Sequence, residues 1–156
     1  MERIKQNEIP AGLFKAMLQV SGYVHNSGLD PLLLELINTR VSQINGCAYC
    51  LDMHSKDATA MGETWQRLIS LPAWREAPYY TDKERAALEF AERLTLVHQE
   101  KEDHTLHDRL AEHFSKEEIA NLTLAVAVIN TWNRLVRSFG TTAGTYTVGQ
   151  HKQAAV

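Results

Sequence analysis

Apolar residues recur at three- and four-residue intervals along most of this chain, and no stretch alternates apolar with polar long enough to make a strand. Leu88, Ala91, Leu94 and Thr95 keep that spacing, as do Ile119, Leu122, Val126 and Ile129. The punctuation agrees. Asp30 before Pro31 reads as an N-cap followed by proline at the first helical position, where the missing N–H costs nothing. Thr81 with Glu84, and Ser115 with Glu118, have capping-box spacing, in which each side chain meets an orphan amide near the other. The pattern predicts helices over 10–26, 31–44, 47–61, 63–70, 82–98, 105–114 and 116–139, broken at Gly46, at Gly62 and in "PAWREAP". The expected fold is all-α, with six to seven helices. No linker, repeat or low-complexity tract divides the 156 residues, so a single domain over 1–156 is expected, with 140–156 an irregular, partly mobile tail.

The last predicted helix carries Leu124, Val128, Leu135 and Phe139 away from its main apolar stripe. A helix apolar on more than one face is a central core helix, an oligomer contact, or both. A homo-oligomer follows as an expectation, because a protomer this small leaves apolar surface that another copy could cover. A formal charge of −3 provides no basic field, so nucleic acid is not an expected partner. "MERIKQNEIP" has no apolar signal region, and the run "LTLAVAVI" is far short of the ~20 residues that span a bilayer. These features predict a cytoplasmic protein without a membrane segment.

Residues 45–54 read "NGCAYCLDMH" and hold both cysteines of the chain. Asn45 and Gly46 break the preceding helix, which puts Cys47 at or near the first turn of the next, where unpaired amides favour a thiolate. At about 100° per residue, Cys47, Cys50 and His54 share one helix face. A disulfide staple is the weakest reading, since cytosolic thiols are held reduced and disulfide frameworks use more cysteines. A zinc site has three ligands here and no second cysteine pair to close it. His98, His104, His107 and His113 are spare imidazoles, but they stand in the charge-rich "HQEKEDHTLHDRLAEH", which reads as a solvated face. A thioredoxin-like pair needs a βαβ setting that a helical chain lacks. A redox dithiol on an all-helical scaffold remains.

Glu35 is a different case. The strongest apolar face of its helix runs through Leu33, Ile37, Val41 and Ile44, and periodicity projects Glu35 to the other side with Leu32, Thr39 and Ser42, as a surface acid.

Glu35, eleven residues, "CAYC", three residues and His54 resemble the active-site signature of AhpD-like alkylhydroperoxidases, within the carboxymuconolactone decarboxylase superfamily. The flanks "RVSQINGCAYCLDMHSKDA", "GETWQRL", "PYYTDKERAALEFAE" and "EEIANLTLAVAVINTWNRL" resemble its small single-domain members across nearly residues 10–139. The resemblance implies an antioxidant peroxidase that reduces organic hydroperoxides without metal or cofactor. It implies Cys50 as the peroxidatic cysteine, Cys47 as the resolving one, and His54 with Glu35 as a proton relay, which turns Glu35 inward. It also implies a dithiol reductant protein, a lipoyl or thioredoxin-like carrier, and assembly as dimers, trimers or hexamers. The decarboxylases that name the superfamily lack the cysteine pair. The best-studied pattern has a histidine just before the second cysteine, where this chain has Tyr49, a residue that donates a hydrogen bond but does not shuttle protons at neutral pH. A general thiol–disulfide oxidoreductase or redox sensor is the first alternative, and a non-enzymatic helical assembly or metal-binding module the second. Trp132, in "NTWNRL", reads as core or as a pocket wall.

Overall fold

The computed structural model describes residues 2–99 and 105–150, and every regular element among them is helical. In chain order these are α1 (Ala11–His25), α2 (Pro31–Asn45), α3 (Ala48–Ala60), α4 (Trp65–Ser70), α5 (Asp82–Thr95), α6 (Thr105–Ala111) and α7 (Lys116–Phe139), with short 3-10 turns at Gln6–Glu8, Leu71–Ala73 and Val97–Gln99. The caps form as the spacing requires. Asp30 accepts from the Leu32 amide, and both capping boxes, Thr81 with Glu84 and Ser115 with Glu118, are closed in both directions. The predicted helices match to within one to three residues at most ends. The one expected over 82–98 stops at Thr95, where the chain tightens into the Val97–Gln99 turn. None of the described helices is long and apolar enough to cross a membrane.

The central element is α2, which packs on α3, α5 and α7. Leu33, Leu34, Ile37 and Val41 enter a core shared with Phe90 and Ala91 of α5, Leu110 of α6 and Leu122, Val126 and Ile129 of α7. Leu36 leaves by another side into a second core with Ala58, Leu68, Leu71, Trp74, Tyr80 and Leu88. A helix apolar toward two cores has little surface left. α7 lies across α1, α2, α5 and α6, with Leu124 and Val128 packed on the rim of the first core. Trp132 is a joint between helices: its ring meets Phe14 edge-on and its Nε1 donates to Ser21 Oγ of α1 at 2.9 Å.

Charged groups pin the segment between α3 and α5. Arg67 donates from Nε to Glu63 at 2.9 and 3.0 Å and from its other nitrogens to Glu84 and the Tyr79 carbonyl. Arg85 caps the carbonyls of Trp74, Arg75, Ala77 and Tyr80, so the "PAWREAP" stretch is an irregular but tied loop. The tail is irregular over 141–150 as expected, and it too is tied, by hydrogen bonds to α3. Its last residues, 151–156, lie outside the described residues.

Candidate active site

Gly46 ends α2 in the left-handed region, at φ 64°, a conformation that costs glycine nothing. The reversal carries Cys47 into the N-cap of α3, where its own N–H donates back to the Ser42 carbonyl at 3.0 Å. α7 holds this corner. Asn133 donates to Ser42 Oγ at 3.1 Å and accepts from Asn45 Nδ2 at 2.9 Å, and the Arg137 guanidinium caps the Asn45 carbonyl at 2.6 Å. Periodicity had no means of finding Asn133, a fully buried amide on an apolar helix.

Cys50 follows in the first turn of α3, and the two cysteines are bonded to each other with Cα atoms 5.3 Å apart. Both are buried, at 0% and 1% exposure. The bond is a poor staple, because a loop this short gains only about 2 kcal/mol on the chain-entropy relation and joins residues that α3 already holds. The amides of the first helical turn have no intrahelical partner, so the end of α3 stabilises thiolates when the bond is reduced.

One turn further, His54 is buried, and its Nδ1 lies 2.7 Å from Glu35 Oε2. Glu35 is itself only 5% exposed, which overturns its placement by periodicity on the surface. The cause is the sandwich: Glu35, Thr39 and Ser42 form a polar stripe of α2 that α3 and α7 cover. With Nδ1–H directed at the carboxylate, Nε2 is the nitrogen left to exchange a proton. It is buried and, among the described residues, has no hydrogen-bond partner, like Thr39 Oγ1 on the facing helix. The four residues singled out in the sequence are thus one cluster.

Two tyrosines flank it. Burial and then the Asp52 charge push the Tyr49 phenol above its ordinary value, so it stays protonated at neutral pH. Tyr146, from the tail, is buried with its hydroxyl 2.9 and 2.8 Å from the two oxygens of Asp57. Burial, and then the hydrogen bond and charge of Asp57, raise its pKa, with a contribution from the Glu35 charge. Asp52 is held below the ordinary carboxylate range by Lys56 and the Gly144 amide. Of the imidazoles in the charge-rich stretch, His98 and His107 are exposed, His113 is half-buried, and His104 lies outside the described residues. No group of three or more His, Cys, Asp or Glu side chains among the described residues is placed to hold a metal ion.

Fold and site together define a small all-helical protein built around a buried CxxC pair at a helix start. The chain belongs to the carboxymuconolactone decarboxylase family, whose model matches residues 11–93, and it is an AhpD-like member of that superfamily. It is 40% identical over 142 residues to the uncharacterized protein YdfG of Bacillus subtilis (strain 168), covering 91% of this chain and 97% of that one. The crystal structure of a protein of unknown function from Agrobacterium tumefaciens, described as a putative antioxidant defence protein AhpD, superposes with a TM-score of 0.88 at 36% identity, covering 94% of this chain and all of the other. The debrominase Bmp8 shares the fold at a TM-score of 0.65 and 24% identity, over 75% of this chain and 62% of its own.

Proposed function

We propose that the protein is an antioxidant thiol peroxidase that reduces organic hydroperoxides through a Cys47–Cys50 dithiol/disulfide cycle, without metal or prosthetic group, on a single domain. The observation that carries this is the buried Glu35–His54 pair one turn from a bonded CxxC, with His54 Nε2 lacking a hydrogen-bond partner among the described residues. In the oxidative half, the Cys50 thiolate attacks the peroxide, the O–O bond breaks, and Cys50 becomes a sulfenic acid. The departing alkoxide takes a proton from His54, whose ring Glu35 orients through Nδ1. Cys47 then displaces hydroxide from the sulfenic sulfur, which leaves as water with a proton, and the disulfide forms. A dithiol protein, a lipoyl or thioredoxin-like carrier, returns two electrons and two protons.

The resemblance to the Agrobacterium protein, over nearly the whole chain, supports the antioxidant reading. The shared fold of Bmp8 shows that this scaffold also hosts other chemistry, so activity is argued from the site. Replacing Cys50 by serine is expected to abolish peroxide turnover in the presence of a competent reductant; undiminished turnover would remove Cys50 from its role. The protein acts in the cytoplasm as a homo-oligomer of dimeric, trimeric or hexameric order. A light-scattering mass of one 17.6 kDa chain at micromolar concentration would contradict it.

A further inference from the structure

A disulfide is reduced only by a thiolate that reaches one of its sulfurs along the S–S axis, and neither Cys47 nor Cys50 is accessible in the closed protomer. Access therefore depends on what surrounds α3. α2 covers one side. Along another runs the irregular segment 141–150, tied to α3 at Asp52, Lys56 and Asp57. The Gly144 amide donates to Asp52 Oδ2 at 3.0 Å, the Lys56 ammonium to the Tyr146 carbonyl at 2.9 Å, and the Tyr146 hydroxyl to Asp57. Asp57 lies seven residues after Cys50, close to two full turns, so it stands on the side of the helix that carries Cys50 and His54.

The segment is anchored unevenly. From Thr142 to Val148, Tyr146 is the one buried residue, and the Gly149 amide folds back onto its hydroxyl at 3.2 Å. A stretch that buries one side chain and otherwise makes polar contacts opens at small free-energy cost relative to the helices around it.

We infer that Tyr146 is a specificity-determining residue of the dithiol site, a latch whose seating on Asp57 holds back bulky dithiols more than small ones, which need the smaller opening. The inference deepens the proposed redox cycle by naming what selects its reductant. The step it controls is exchange: a thiolate of the incoming dithiol bonds to one sulfur of the Cys47–Cys50 bridge and the other leaves as a thiolate. The second thiol of the reductant then displaces the first, so two electrons and two protons end on Cys47 and Cys50.

The test compares native-state reduction of the preformed disulfide by dithiothreitol and by reduced thioredoxin, in the wild type and in Tyr146→Ala, Tyr146→Phe and Asp57→Asn. Tyr146→Ala should accelerate the thioredoxin reaction by about tenfold or more and the dithiothreitol reaction by less than about threefold, by removing the steric part of access. Tyr146→Phe, which removes the hydroxyl donor, and Asp57→Asn, which keeps an acceptor but removes the charge that strengthens the bond, preserve the side-chain volume and should shift the ratio of the two rates in the same direction by less. They also keep the test intact if the alanine variant folds poorly. A ratio unchanged in all three variants, or both reductants accelerated equally, overturns the latch. No peroxide enters the assay, so failure of the peroxidase reading and failure of the latch are seen separately.

Discussion

Glu35 and Glu92 are both buried carboxylates at the surface of α2, and they differ in how many donors meet them. Glu92, on α5, accepts from Arg40 Nε at 2.7 Å, Trp74 Nε1 at 3.0 Å and an Arg75 guanidinium nitrogen at 2.7 Å. Burial by itself would raise its pKa, and these donors, led by Arg75, more than offset burial and hold it below the ordinary value. Glu35, on α2, meets one donor among the described residues, the His54 ring, whose far nitrogen has none. A saturated carboxylate locks helices together. In the proposed cycle Glu35 instead orients a proton donor, and a buried nitrogen with no partner among the described residues is the costly arrangement that such a role requires.

The contrast can be broken by substitution. Glu35→Gln should lower peroxide turnover by roughly 10²–10³, in the range of lost acid–base assistance, while denaturant unfolding changes by no more than about 1 kcal/mol, the worth of one hydrogen bond. Equal losses of turnover and stability would make Glu35 a structural acid like Glu92. Glu92→Gln should do the reverse, costing about 3 kcal/mol in chemical denaturation because two guanidinium groups lose their charge partner, with turnover per folded molecule unchanged. Acid sharpens the same contrast. Since the folded pKa of Glu92 lies below its ordinary 4.5, its stabilisation is complete above that value and is lost as pH falls through the folded pKa. The stability gap between the wild type and Glu92→Gln should therefore shrink as pH falls below 4.5, and a gap that holds constant through acid would contradict the assigned charge network. The smallest effect belongs to Tyr49→Phe. A phenol that stays protonated supplies no acid–base step, so turnover should change by less than about threefold.

Much of this was legible in residue order, and the limits have physical causes. The helices were readable because their caps are local: Asp30, Thr81 with Glu84, and Ser115 with Glu118 each act within four residues. Cys47, Cys50 and His54 were readable because one helix carries them on one face. Glu35 was placed wrongly by periodicity and inward by family resemblance. The wheel finds one apolar stripe, whereas α2 buries Leu33 and Ile37 in one core, Leu36 in another and a polar stripe between α3 and α7. Asn133 and Tyr146 gave no signal. Each acts on a residue about 90 positions away in the chain, and Tyr146 sits in a tail without periodicity.

In the proposed cycle the Cys47–Cys50 pair is the group that the peroxide oxidises. The most direct measurement is a thiol titration of the fully reduced protein before and after one equivalent of an organic hydroperoxide, with mass mapping of the bond formed. Rapid loss of both thiols into a Cys47–Cys50 disulfide is the expected result. Two thiols that survive the peroxide unchanged would contradict it.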